Sequence, residues 1–388
     1  MAKRPRLSHH RGRVRRTSAP ARHVDPTGLA AGRPDHDPLA AVRSASDYEF
    51  DVFLTGTVFL DVIFTGLQAP PQLGTEVWTE GLGSCPGGVA NLAVAMSRLG
   101  LRTSLAAAFG GDVYGDFCWD TLANQEGVDL SASRRFPGWH SPVTVSLAYR
   151  RDRSMISHGH APPVPEQEMV HGPVRAKTCF IELSPRPQGC WVERAHAQGM
   201  RLFADVGWDS TEAWAPEVLR QLENCYAFLP NAVEAVHYTR TDDPRDALHQ
   251  LAELVPLVVV TCGPDGAMAI DNETGEEAHV PGLAVEALDP TGAGDVFGAG
   301  FTLGTLARWP LEHRLRFANL CAALSVQQFG GSLSAPGWAD IAAWWRDVRA
   351  NPAARELAAS YAFLDGILPT TQVSAVRRAT ATIGFRAE

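Results

Sequence analysis

No two cysteines in the 388-residue chain are spaced as Cys-x-x-Cys, and the seven present (Cys85, Cys118, Cys179, Cys190, Cys225, Cys262, Cys321) are scattered and odd in number. That excludes a disulfide framework and a zinc ribbon, fits a reduced, cytoplasmic setting, and marks the thiols as buried structural residues. No apolar run approaches the roughly 18–20 residues that a bilayer-spanning helix requires, so no membrane partner is expected. No Gly-x-x-x-x-Gly-Lys-Ser/Thr is present, which excludes a P-loop nucleotide site. There is no repeat of fixed period, and acid is missing altogether from the first 24 residues.

Charge is divided unevenly. Residues 1–48 carry ten Lys/Arg against four Asp, whereas the remainder carries 24 basic and 39 acidic residues, for a net charge of −9 overall. The opening MAKRPRLSHHRGRVRRTSAPARHV has no periodic apolar face and no apolar core of a secretory signal. Residues 1–48 are therefore expected to be a disordered, solvated basic tail outside the folded body; a nucleic-acid-binding arm or a transit peptide shares that composition. An acidic body argues against nucleic acid as the main partner.

From Asp51 onward the texture changes. DVFLTGT reads as the first core strand, VANLAVAMSRLG as a helix ending at Gly100, TSLAAAFG as a strand, and YGDFCWDTLANQEG as a helix. KTCFIELS, GMRLFADVG, CYAFLPN and PLVVVTCG follow as strands separated by helices, the last of them almost wholly apolar, as in a sheet covered on both faces. Helical patterns at 296–308 and 311–328 and a Trp-rich helix near 338–348 close the series. Such alternation predicts an α/β fold with a mostly parallel central sheet sandwiched by helices. Two stretches that alternate polar and apolar, about 62–82 and 142–160, predict a small β-sheet lid; TVSLAYRRDRSMISH reads as its hairpin. His158 and His160, in ISHGHAPP, are expected at the lid edge on the surface.

The chemistry-bearing stretch is EALDPTGAGDVFGAGF, predicted as strand, turn and helix. Gly292 and Gly294 let the backbone turn sharply and bring N–H groups to a ligand, and the helix that follows adds the positive end of its dipole, which suits phosphate. Asp295 could serve as an ordinary helix N-cap. A carboxylate beside an anion hole has a stronger use: it can take the proton from an attacking hydroxyl while the amides stabilise a phosphoryl group in transfer. The Gly-x-Gly-xxx-Gly spacing is not read as a dinucleotide site, because it lies late in the chain and would set a carboxylate against the pyrophosphate.

DPTGAGD followed by FGAGF resembles the C-terminal signature of the ribokinase/PfkB carbohydrate kinases. GTVFLD (56–61), PGGVANLAVAMSRLG (86–100), LPNAVEA (229–235) and TCGPDGA (261–267) resemble further motifs of that family, in its order. The resemblance spans about residues 50–340 and implies a ribokinase-like kinase domain over 49–365, followed by an extension over 366–388.

It implies ATP-dependent phosphorylation of a sugar hydroxyl, with Asp295 as general base and the amides of Gly292, Ala293 and Gly294 as anion hole. Asp61, Gly87, Gly88 and Asn91 would line the acceptor site, with Phe59 beside them; at a strand end, Asp61 could also cap a turn. Asn231 and Glu234 would act through water on Mg²⁺, although Asn-x-x-Glu is also a helix capping box. Thr261, Gly263 and Gly266 would meet the nucleotide phosphates, and Asn319 the adenosine. Asp289, Thr291 and the loop 330–334 match the place where some members hold a monovalent cation such as K⁺. In this family lids often pair between subunits, which implies a homodimer.

Two departures bear on the acceptor. Pro86 stands where many members have glycine, and Phe59 stands where ribose-preferring members have a polar residue. An aromatic there can stack on a sugar face or a nucleobase, which keeps a nucleoside acceptor open beside a sugar. A non-catalytic ligand-binding regulator on the same fold would have no chemical need for the base.

Overall fold

Residues 257–261, Leu-Val-Val-Val-Thr, have no polar face, and the four apolar ones are completely buried. Such a strand is stable only between two covering layers, and the rest of the chain supplies them. The computed structural model describes residues 36–376 apart from 45–47, 150–151, 166–167, 171, 173, 186–188, 208, 210 and 372.

The first half contains β1 (Phe50–Thr55), β2 (Val58–Leu67), β3 (Gly81–Gly88), α1 (Val89–Arg98), β4 (Thr103–Ala106), β5 (Ala108–Gly110) and α2 (Val113–Asp120). β6 (Arg134–Phe136), β7 (Val143–Tyr149), β8 (Asp152–His158), β9 (Ala176–Leu183), α3 (Cys190–Ala197) and β10 (Arg201–Val206) follow. Then come β11 (Ala227–Phe228), α4 (Ala232–Thr239), α5 (Pro244–Ala252), β12 (Leu257–Thr261), β13 (Ala267–Asp271) and β14 (Glu276–Val280). Helices α6 (Ala293–Leu306), α7 (Leu311–Val326), α8 (Trp338–Ala350) and α9 (Arg355–Ser360) complete the described elements.

The main sheet has the order β14-β13-β12-β11-β10-β9-β1-β4 and is parallel from β12 to β4. Its other end is an antiparallel meander, β12-β13-β14, that the sequence reading did not separate. One face packs on α1, α6, α7 and α8 through residues such as Leu92, Val296, Phe301, Leu315 and Trp338. The opposite face packs on α3, α4 and α5 through Trp191, Ala235 and Leu248. The expected α/β sandwich is thus present.

The expected small sheet is present too, in the order β3-β2-β7-β8, with β7 and β8 antiparallel as the hairpin pattern implied. The turn residues 150–151 lie outside the described residues. Between β2 and β3, residues 68–80 form a loop rather than strand.

Four expectations need correction. Residues 36–44 belong to the body: Leu39 is fully buried in the core, and Arg43 reaches Asp51 with both guanidinium nitrogens, at 2.6 and 2.8 Å. The residues ahead of 48 were read as tail because composition, not local pattern, dominates that stretch. No strand precedes the glycine turn; residues 281–290 are irregular, and the amides of Leu288 and Asp289 instead donate to the Val326 carbonyl at the end of α7. Asp61, expected at a strand end, is not at one. The chain breaks at Gly56, and Asp61 lies inside β2 of the small sheet, opposite Cys85 of β3 and Thr144 of β7. Cys190, read as buried, is exposed.

Asp51 is fully buried and also accepts from the Arg102 amide (2.9 Å) and side chain. Burial alone would push its carboxyl up, but the hydrogen bonds from Arg43 and Arg102 outweigh that and hold it below the ordinary range. A depressed folded value means that this stabilisation is present above the unfolded pKa and is lost as pH falls through the folded one. Arg43→Ala leaves Asp51 with Arg102 alone and is expected to cost about 2 kcal/mol in urea unfolding at neutral pH, with the difference shrinking in acid. An unchanged midpoint would mean that the Arg43–Asp51 pair contributes nothing to the stability of the fold.

Candidate active site

The first turn of α6 is where the signature loop meets the body. Gly292 caps the helix in the left-handed region at φ 77°, a conformation costly for a residue with a side chain. Gly294, one residue into the helix, is exposed, and its N–H belongs to the turn whose donors have no intrahelical acceptor. The Ala293 amide, expected in the anion hole, donates to the Pro290 carbonyl at 3.2 Å, so it is not turned wholly toward the cleft.

Asp295 projects from this turn and accepts a 3.1 Å hydrogen bond from Nδ2 of Asn91 on α1. Behind Asn91 stand Asp61 and two glycines. A Cβ on Gly87 would fall 1.9 Å from Oδ2 of Asp61, and one on Gly331 would lie 3.5 Å from Oδ1 of Asn91. Of the three polar residues that the sequence placed at the acceptor site, Asn91 and Asp295 line the larger of the two cavities at this wall, while Asp61 is buried behind them and is not in its lining. The three come respectively from α1, from α6 and from the small sheet.

Two cavities meet there. The larger, about 530 Å³, is lined among others by Phe59, Gly88, Asn91, Phe180, Glu182, Asp205 and Asp295. The smaller, about 90 Å³, is lined by Asp205, Asn231, Glu234, Thr261, Gly294 and Asp295, with apolar residues behind. Asp295 and Asp205 belong to both.

Asn231 and Glu234 form a reciprocal cap on α4: the Asn231 amide donates to Oε2 of Glu234 (2.8 Å), and the Glu234 amide to Oδ1 of Asn231 (3.0 Å). The capping box and the place in the cavity wall thus coexist. Gly263 and Gly266 make the tight turn after β12, with Gly263 facing open space. Asn319 is not in either cavity; its side chain donates to the Val280 and Pro281 carbonyls, both at 3.3 Å. Asp289 is buried and accepts from the amides of Thr291 (2.9 Å) and Gly330 (3.3 Å), which joins the two segments expected around a monovalent cation. Oγ1 of Thr291 is buried without a hydrogen-bond partner.

Sequence reasoning missed Asp205 and Glu182, at the ends of the parallel strands β10 and β9. Ligands of an open α/β sheet bind beyond such strand ends, so an acid there was the available signal. Burial, and then the carboxylates of Glu234, Asp295 and Glu182, push Asp205 well above the ordinary range, against the hydrogen bond it accepts from the Val206 amide. Burial likewise raises Glu234. Among the described residues, neither cavity has a Lys, Arg or His in its lining.

Residues 189–338 match the model of the pfkB family carbohydrate kinases. This span, in the C-terminal part of the chain, carries the family's pattern. It is 27% identical over 311 residues to a nucleoside kinase of Methanothermobacter thermautotrophicus, covering 78% of this chain and 93% of that one. It is 29% identical over 282 residues to a fructokinase of Klebsiella pneumoniae, covering 65% and 89%. The structure of Arabidopsis thaliana ribokinase complexed with ribose and ATP superposes with a TM-score of 0.60 at 22% identity, over 74% of this chain and 96% of that one. The kinase-domain match contains the Asn231–Glu234, Thr261–Gly266 and Gly292–Asp295 motifs, whereas Asp61, Gly87 and Asn91 lie ahead of it.

The carboxylate cluster of this kinase domain has a measurable consequence. A folded Asp205 holds its proton to higher pH than an unfolded one, so the metal-free protein should lose stability as pH rises from the ordinary aspartate range through the raised folded value. Asp205→Asn removes that dependence and is expected to raise the melting temperature in EDTA at neutral pH by about 2–5 °C. A melting temperature that is unchanged or lower would show that the cluster stores no repulsion.

Proposed function

We propose that this protein transfers the γ-phosphoryl group of ATP to a hydroxyl of a neutral sugar, with Asp295 as general base. The observation that carries the reading is the position of Asp295 at the N-terminus of α6, in the walls of both cavities. An acceptor hydroxyl in the larger cavity lies on one side of the carboxylate, and phosphate oxygens in the smaller one lie on the other. Asn91, through its 3.1 Å hydrogen bond, fixes the orientation of the base. The Gly294 amide, the dipole of α6 and, once released from Pro290, the Ala293 amide stabilise the migrating phosphoryl group. Asp61 and Phe59 bind and orient the acceptor from β2. Thr261 and the turn at Gly263 and Gly266 serve the nucleotide phosphates.

Asp205, Glu182, Glu234 and Asn231 suit a hydrated Mg²⁺, because carboxylates gathered without a basic side chain need a cation when phosphate enters. That ion would offset the charge on the phosphate oxygens. Asp289 and the unpartnered Oγ1 of Thr291 suit K⁺ in the same way.

The lining also limits the acceptor. With Glu182, Asp205 and Asp295 in the larger cavity and no basic residue there, sugar acids and sugar phosphates are disfavoured. Phe59 and Phe180 in that wall support a second reading, a nucleoside whose base stacks between apolar surfaces. Strand β8, an edge of the small sheet, exposes Met155 (55%) and Ile156 (65%), which supports pairing of lids in a homodimer.

The test is ADP release with Mg-ATP against a panel of neutral sugars, sugar acids and nucleosides. Turnover with a neutral sugar is expected, and turnover confined to nucleosides would put the second reading first. Asp295→Asn should lower kcat by about 10³-fold or more while leaving ATP affinity within a few fold; near-normal turnover would remove Asp295 as the base. Phe59→Asn should reorder the acceptors by KM, and an unchanged profile would reduce Phe59 to packing.

A further inference from the structure

The kinase reading makes no use of three histidines at the root of the small sheet. His140 precedes β7, His158 ends β8, and His160 follows two residues later. The β7–β8 register sets His158 opposite Val143, which brings the ISHGH segment back against the residues ahead of β7. Each imidazole offers a nitrogen within 4.8 Å of the other two. The closest pair, Nε2 of His140 and Nδ1 of His160, is 2.7 Å apart. The rings of His140 and His158 stack at 5.3 Å, while His160 meets both edge-on.

We propose that His140, His158 and His160 form a binding site for a zinc-class divalent transition metal. Imidazole is a borderline ligand suited to Zn²⁺, Co²⁺, Ni²⁺ and Cu²⁺ and not to Mg²⁺. Nitrogens about 2.0–2.1 Å from a tetrahedral ion stand about 3.3 Å from one another. That separation falls between the 2.7 Å contact and the 4.8 Å limit, so side-chain adjustments of an ångström or so complete the site. The fourth position is left to water.

Two features go beyond proximity. Nδ1 of His140 lies 3.2 Å from the Ser141 carbonyl, which can only accept; Nδ1 therefore carries the proton and leaves the Nε2 lone pair facing the cluster. A ligand imidazole anchored through its other nitrogen to a carbonyl is the usual support of a metal site. The base of the cluster is also built into the body. The Ser141 amide donates to Oδ2 of Asp112 (2.7 Å), its hydroxyl accepts from Gly110 (3.0 Å), and Asp112 caps α2. His158 and His160, in contrast, are exposed at the end of the edge strand. A bound ion would tie that edge to the body beside the junction of the two sheets.

The experiment is calorimetric titration of the full-length, metal-stripped protein with ZnCl₂, with MgCl₂ as the control, repeated on His140→Gln, His158→Gln and His160→Gln. His9 and His10 are present in all four proteins, so the difference between them reads the cluster. One site with a Kd of about 10 µM or tighter is expected, weakened at least tenfold in each variant and accompanied by a zinc-dependent rise in melting temperature that the variants lack. Co²⁺ should give a visible spectrum of four-coordinate type that each substitution abolishes. Absence of such a site, affinity unchanged in the variants, or loss in only one or two of them would overturn the three-imidazole assignment.

Discussion

Four carboxylates share one cleft without a basic side chain among the described residues that line it, and much of the site is arranged around that constraint. Asp205, Glu182, Glu234 and Asp295 reach the cleft from the ends of β10 and β9 and the starts of α4 and α6. Burial first, and then repulsion from the neighbouring carboxylates, raises Asp205 and is a cost to the empty fold. The favourable terms are fixed dipoles: the N-terminus of α6 beside Asp295 and the capped N-terminus of α4 at Glu234. Neither helix neutralises a full charge, so a polyanion entering this cleft would need cations beside it.

That arrangement explains which parts of the site were legible. The Gly292–Asp295 turn was readable because the left-handed backbone at Gly292 favours glycine and the carboxylate follows three residues later, and both are local. Asn231 and Glu234 were readable because a capping box has a fixed spacing. Asp205 and Glu182 were not, since one acid at the end of a strand is ordinary and only the parallel order β9-β10-β11 brings two of them to one mouth. Asp61 was recognised as a residue but read at a strand end, whereas it lies within β2: the change of sheet between β1 and β2 leaves no mark in the local apolar pattern. Leu39 and Arg43 were lost in a tail whose composition hides one buried leucine and one ion pair.

The histidine cluster shows the same limit. His158 and His160 alternate along one short segment and could be named from sequence, but His140 is eighteen residues upstream of His158. Nothing local connects it to them. The hairpin register does, together with the anchoring of Ser141 to Asp112 and Gly110. Pairing register, which sequence pattern specifies only as a face and not as a partner, decides whether such residues meet.

Division of labour between the two sheets follows from their connections. On the proposed reading, Asp295 and Glu234 sit at the starts of core-packed helices and Asp205, Glu182 and Thr261 at the ends of core strands, whereas Asp61 and Phe59 sit on β2, in the small sheet that the chain enters after Gly56 and leaves at the start of α1. Asn91 spans the boundary, hydrogen-bonded to Asp295 and packed near Asp61 across Gly331. On that reading, Asn91 links the side of the cleft that would hold the acceptor to the carboxylate that would act as base. The matched family span begins at residue 189, so it contains the Gly292–Asp295 turn but neither β2 nor the core elements β1, α1, β4 and β9. On the proposed reading, the phosphate side of the cleft rests on backbone geometry at a helix start, where Gly292 stands at φ 77°, and the acceptor side on side chains of β2.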